Sequence, residues 1–235
     1  MIGYERRERR AVDNKMQDEL ISLYHKALNG VINDPRIKGD IERARSLDPC
    51  DVTKHSFFSA YAWTVFVSGF RMSVVQKWWP TLTRIFKDWN VERIIDRADI
   101  RTRALKILNY ERKIDAILTV SNMINNADEW GKLKDSILDG LKRDAYGNIL
   151  PYQQALACMD ALPMIGPTNA RYILKNIGYD LAKDDRHLRR LAKKYGYTPD
   201  GDGVQLFVET ISHLVGERIS VVETVLFNAC EAGII

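Results

Sequence analysis

Apolar residues recur along this chain at intervals of three and four, the spacing that places side chains on one face of an α-helix. Leu20, Leu23, Tyr24 and Ala27 mark a first helix ending near Gly30. A stronger stripe, Val74, Val75, Trp78, Trp79, Leu82, Ile85 and Phe86, is crossed by Pro80, where a kink or restart is expected. Further helices are expected over 91–96, 101–108, 111–124, 130–141, 203–215 and 220–232. Residues 56–70 carry no charge, but the run is shorter than the ~20 residues of a membrane span and contains Ser59, Thr64, Ser68 and Gly69, so it reads as a buried central helix. Linkers are expected at 33–51, at Asp144-Ala145-Tyr146-Gly147-Asn148 and at 198–203. No sustained alternation of the kind a half-buried strand needs is present, so the expected fold class is all-α.

One stretch is bounded on both sides. Pro167 stands where a first helical residue needs no N–H, and Gly178 where the chain leaves a helix through a left-handed conformation. Upstream, Pro151 starts another helix in the same way, with Ala155, Leu156 and Met159 on one side, until Leu162-Pro163 stops it. The pattern is helix, short hairpin, helix. The N–H groups of Gly166, Thr168 and Asn169 would point outward at the start of the second helix, where the helix dipole favours an anion such as phosphate. Shortly after come Lys183-Asp184-Asp185-Arg186-His187-Leu188-Arg189-Arg190.

The length of 235 residues accommodates one large domain or two lobes. A hydrophobic share of 46% and a charged share of 28% are ordinary for a globular protein. With 35 basic and 31 acidic residues the net charge is only +4, so placement has to argue for nucleic acid. Arg171, Lys175, Arg186, Arg189, Arg190, Lys193 and Lys194 gather around the hairpin, while Lys193 and Lys194 read equally as a solvated face. Arg6, Arg7, Arg9 and Arg10 read as a solvating tail. Cys50, Cys158 and Cys230 form no paired spacing, which argues against a zinc site and a disulfide framework and fits a reducing cytoplasm. The charged N-terminus does not resemble a signal peptide. No metal and no cofactor are expected.

Leu162-Pro163-Met164-Ile165-Gly166-Pro167-Thr168-Asn169-Ala170 resembles the hairpin L-P-G-[VI]-G-x-[KSTY]-x-A of the helix-hairpin-helix (HhH-GPD) DNA glycosylase superfamily. Asp184-Asp185-Arg186-His187-Leu188 resembles that family's P-D-D-x-L context at the mouth of the next helix, which carries the catalytic aspartate onto Asp185. A weaker resemblance reaches back to 57–68 and forward to 222–227, and spans roughly three quarters of the chain. The cysteine spacing makes the chain resemble a divergent member without the four-cysteine iron–sulfur cluster. The resemblance implies a six-helix barrel over 53–178 ending in the hairpin, and a second lobe of 1–52 with 179–235. Asp185 would lie on the rim of a cleft between them.

Roles follow from the same resemblance. A carboxylate at Asp185 would stabilise the positive charge that develops on deoxyribose as the base departs, and would orient or deprotonate the attacking water. In the favoured arrangement Asp184 caps the helix and Asp185 occupies its first turn; the reverse stays open. His187 and Glu223 are supporting candidates. Thr168 holds the slot where lyase members carry a Schiff-base lysine, so a monofunctional enzyme is implied, with Lys175 and Lys183 as the nearby amines. Met164, Ile165, Gly166, Thr168, Asn169, Arg171, Lys175, Arg186 and Arg189 would contact DNA. Phe70, Arg71 and Met72 are wedge candidates for the gap left by a flipped nucleotide, and Tyr24, His25, Tyr61 and Trp63 are pocket candidates, each also readable as core. Met164 replaces the first hairpin glycine, a costly exchange if the backbone there has a positive φ.

The implied function is hydrolysis of the N-glycosidic bond of a modified or damaged base in double-stranded DNA, leaving an abasic site, as in base excision repair. The alternatives are a phage-defence glycosylase removing hypermodified bases, for example glucosylated ones, and a non-catalytic DNA-binding module. A cytoplasmic monomer with no membrane partner is expected, and the base itself is not specified.

Overall fold

The structure, a computed structural model, describes residues 2–141 and 152–235. Among the described residues it is all-helical, with no β-strand. In chain order the helices are α1 (Ile2–Val31), α2 (Pro35–Ser46), α3 (Lys54–Val67), α4 (Met72–Ile85), α5 (Arg97–Ile107), α6 (Glu111–Asn125), α7 (Ala127–Asp139), α8 (Gln153–Asp160), α9 (Pro167–Asn176), α10 (Arg186–Lys194), α11 (Gly201–Val215) and α12 (Ile219–Glu231). None of them is long and apolar enough to cross a membrane.

The chain divides into two compact units, Asp48–Tyr179 and Met1–Leu47 together with Asp180–Ile235. The first boundary falls earlier than the expected 52/53 because Asp48 and Pro49 pack against Gly178 inside the first unit. In the second unit α1, α2, α10, α11 and α12 enclose a core that includes Leu20, Ile41, Leu188, Phe207, Val222 and Leu226.

Helix α3 is apolar on every side, and Phe57, Phe58, Tyr61, Val65 and Phe66 are fully buried, as a central helix requires. Thr53 and Ser56 close its start as a reciprocal capping box. Helix α4 continues through Pro80 without the restart that was one of the two expectations there. Pro80 and Gln76 both lie exposed, so water can take the carbonyl that proline leaves without its helical donor.

Two other expectations are corrected. The 33–51 stretch is not a linker, since it holds α2. Asp34 accepts from the N–H groups of Arg36 and Ile37, Pro35 takes the first position, and Ile37, Ile41 and Ala44 are buried on one face. Its many charges lie on the other faces and masked this stripe. The helix expected over 91–96 is only a 3-10 turn at Val91–Arg93. At 198–203 the loop is short, because Asp200 already caps α11 through Gly203 N–H. The Asp144-to-Asn148 turn and Pro151 lie outside the described residues.

Helix α9 ends as the sequence suggests. Gly178 has φ +112°, Gly178 N–H donates to Lys175 O and Tyr179 N–H to Leu174 O, the paired bonds of a Schellman close. A Cβ on Gly178 would lie 2.7 Å from Asp48 C and Pro49 N, so both backbone conformation and space demand glycine. Gly178→Ala is expected to destabilise the full chain by about 3 kcal/mol, from left-handed strain and overpacking together, as read by urea unfolding.

Candidate nucleic-acid interface and carboxylate site

The hairpin lies between α8 and α9 within the Asp48–Tyr179 unit. Gly166 is the N-cap of α9, with extended backbone at φ −128° and ψ 177°, and no side chain caps the helix. Such a conformation is open to any residue. A Cβ at Gly166 would also meet nothing within 4 Å. Neither strain nor packing therefore explains this glycine. Its effect is to leave the first turn of α9 bare, with Pro167 contributing no N–H and those of Thr168 and Asn169 outside the helical ladder. A helix N-terminus without a side-chain cap suits an anion.

Helix α3 buttresses this hairpin. Tyr61 donates its hydroxyl proton to Pro163 O at 2.8 Å, and Trp63 Nε1 donates to Tyr172 Oη on α9 at 3.0 Å. Tyr61 is fully buried and burial pushes its phenol well above the ordinary range, so no face of it is open to a base. Trp63 is half-buried with its edge against Trp79, 5.0 Å between ring centroids. Of the other two pocket candidates, Tyr24 sits in the core of the second unit at 4% exposure, while His25 is exposed beside it.

Met164 has φ +64°, left-handed backbone that a residue with a Cβ adopts at a cost of about 1–2 kcal/mol. The expected strain is present, and the hairpin keeps its turn despite it. Ile165 N–H still donates to Leu162 O at 3.2 Å across the turn. Met164→Gly should raise stability by roughly 0.5–1 kcal/mol, the relieved strain less the extra entropy of an unfolded glycine, measured as a shift in unfolding midpoint.

The basic residues expected on DNA are not all available. Arg171 stacks over Tyr152 and donates to its hydroxyl at 2.9 Å. Arg189 is committed to Asp184, with Nε and Nη2 each 2.5 Å from a carboxylate oxygen. Arg186 is exposed at the start of α10, and Lys175 is half-buried in the last turn of α9.

That ion pair also decides the order of the two aspartates. Asp185, not Asp184, caps α10, its Oδ1 accepting from His187 N–H at 2.8 Å and Leu188 N–H at 3.0 Å. Asp184 is 7% exposed and bidentate with Arg189. The favoured arrangement, with Asp184 as cap, is thus corrected, because the Arg189 guanidinium draws Asp184 inward and leaves the cap to its neighbour. Both cap bonds fall on Oδ1 of Asp185, leaving Oδ2 for another partner. Around it, His187 meets the edge of Phe227 at 6.0 Å, and Lys183 Nζ lies 5.6 Å from the centroid of the same ring. Burial lowers the Lys183 pKa, opposed by the charges of Asp185 and Glu231. Burial, helped by Asp185, raises the Cys230 thiol to about 11. Glu223 is buried at 1% exposure, with Thr224 Oγ1 3.5 Å from its Oε2. Among the described residues no group of three or more His, Cys, Asp or Glu is placed to hold a metal.

In the 68–72 turn Gly69 takes φ +78°, and the three wedge candidates differ. Phe70 is half-buried, 5.5 Å from Trp78 and 4.8 Å below Lys113 Nζ. Met72 opens α4 half-buried, and Arg71, the α4 N-cap, is exposed. Lys113 went unnoticed in the sequence, where it looks like any surface lysine on a helix; it is 3% exposed.

The sequence matches no established protein-family profile and no curated protein. Solved structures do match. The chain has the all-helical fold of solved DNA glycosylase structures. The particular structures it resembles are 8-oxoguanine glycosylases. That of the Methanocaldococcus jannaschii 8-oxoguanine glycosylase/lyase, in complex with a 15mer DNA containing 8-oxoguanine, superimposes with TM-score 0.61 at 16% identity over 92% of this chain and 98% of the other. The 8-oxoguanine DNA glycosylase of Thermotoga maritima gives 0.56 at 17% identity over 90% and 95%. A further Methanocaldococcus jannaschii structure, of an 8-oxoguanine DNA glycosylase, gives 0.59 at 14% over 92% and 94%. At these identities the likeness is one of fold.

Proposed function

We propose that the protein is a DNA glycosylase that removes a modified base from double-stranded DNA, with Asp185 as the carboxylate acting at the sugar. The observation that carries this reading is the pair of features its fold supports: a helix start stripped of every side-chain cap, and a carboxylate held by one oxygen with the other free to act. The bare turn of α9 holds a backbone phosphate through N–H groups, which positions DNA without reading its sequence. Asp185 Oδ2 stabilises the oxocarbenium-like sugar and orients the water that attacks it. Arg71, the exposed one of the three wedge candidates, fills the space of the flipped nucleotide. The base is a modified purine or pyrimidine, in repair or in the removal of hypermodified phage bases.

Asn caps helices as well as Asp, so Asp185→Asn keeps the α10 start while removing the charge. On duplexes each carrying one modified base, wild type should generate alkali-labile sites at one modification, and Asp185→Asn should lose at least ~100-fold in rate with unchanged DNA affinity. Binding by both proteins without excision on any duplex would leave a non-catalytic DNA-binding module.

Thr168 offers no amine, so water is the nucleophile of base removal. A second reading is favoured by Lys183, whose burial-lowered pKa and closeness to Asp185 suit an amine nucleophile. Its amine would condense with the C1′ aldehyde of the ring-opened abasic sugar, releasing water, and loss of a C2′ proton from the imine would expel the 3′ phosphate. With water as sole nucleophile, borohydride should trap no covalent adduct on a preformed abasic duplex; an adduct lost in Lys183→Gln would establish the second reading.

A further inference from the structure

Resting on the reading of the 68–72 turn as the gap-filling element, we propose that Lys113 is its positioning residue and that Ser68 joins this turn to the phosphate-binding hairpin as one mechanical part. Lys113 belongs to α6, yet its ammonium group reaches the end of α3. It donates to Val65 O at 2.5 Å, approaches Phe66 O at 3.4 Å and donates to Ser68 O. These carbonyls belong to the last turn of α3 and its C-cap, where intrahelical donors run out and the helix dipole is negative. The same ammonium lies over Phe70, 4.8 Å from the ring centroid, and 5.7 Å from that of Tyr110. It thus holds both sides of Gly69, the left-handed residue at which the chain reverses.

A buried ammonium is an expensive way to finish a helix, since desolvation disfavours the charge. A water-exposed C-cap would serve if only the end of α3 mattered. What the lysine adds is a fixed direction for the residue that follows Phe70. Phe70 is held between Lys113 and Trp78, so Arg71 leaves the turn from an immobile base and alone among the three candidates is exposed.

Ser68 gives the turn its second attachment. Its hydroxyl accepts from Asn169 Nδ2 at 3.3 Å, and Asn169 lies in the bare first turn of α9. A phosphate seated on that helix start is therefore one residue from the group that holds the turn. The turn and the backbone grip are in register on a single unit, so DNA held by α9 passes the base of Arg71.

The test uses the full-length protein and two duplexes of one sequence, intact or with a central tetrahydrofuran abasic analogue. Affinities are read by fluorescence anisotropy, and the ratio between duplexes reports gap filling. Arg71→Ala is expected to lower that preference about 10-fold, and Lys113→Met nearly as much with intact-duplex affinity within about twofold of wild type. A merely structural lysine would lower both affinities together or neither. Lys113→Gln, which keeps a donor but loses the charge and the reach to all three carbonyls, decides the question if Lys113→Met fails to fold: a lowered preference supports the proposal and wild-type preference in it overturns the proposal. A folded Lys113→Met with full preference, beside an Arg71→Ala without it, overturns the role of Lys113 and leaves the gap-filling reading intact. No preference in wild type, or none lost in Arg71→Ala, overturns that reading and the proposal with it.

Discussion

The uncapped start of α9 is the constraint on which the rest of the Asp48–Tyr179 unit depends. This helix begins Gly-Pro, with no side-chain cap and nothing near the absent Cβ. Free donors are tolerable only toward water or an anion, so the hairpin has to be held from behind. Tyr61 does this at Pro163, Trp63 at Tyr172, Ser68 at Asn169, and the Schellman close at Gly178 fixes the far end against Asp48 and Pro49. Three of these four attachments come from α3 or the residue that ends it. The left-handed Met164 persists because the turn around it is so fully determined.

In the other unit, two adjacent carboxylates are given different work by their surroundings. Asp184 is drawn inward and neutralised by a bidentate arginine, an arrangement that makes it structural. Asp185 is held at the helix surface by backbone donors, which fix its direction while leaving it an oxygen. Arg189 is spent in making this distinction, and Arg171 is spent on Tyr152. With two guanidinium groups so committed, the modest net charge of +4 leaves the backbone N–H groups at the start of α9 as the anion donors of the proposed function.

Features set by one or two residues could be read from the sequence, and features set by distant partners could not. Pro167 and Gly178 dictate their own backbone, so the limits of α9 and the left-handed exit were visible, as was the strain at Met164. The order of the two aspartates was not, because it depends on Arg189 folding back five residues. Helix α2 was hidden by its charges although Asp34-Pro35 is a strong start, and Pro80 signalled a break that its exposed position makes unnecessary. Tyr61 and Trp63 carry aromatic rings suited equally to a pocket or a core, and only their partners on the hairpin separate the two. Lys113 had no signal at all, since its acceptors lie 45 to 48 residues away.

The same distinction accounts for a shared fold at 14–17% identity. A helix start that offers only main-chain donors asks for its backbone in a given place and for little else by way of side chains. Methionine can therefore stand at a left-handed position of the hairpin, at a cost of about 1–2 kcal/mol that a well-packed domain absorbs. What must be retained is the bracing behind the hairpin, and here that consists of hydroxyl, indole and amide groups reaching across the fold. Such contacts leave no contiguous motif, so the hairpin can keep its geometry after most of the sequence around it has changed.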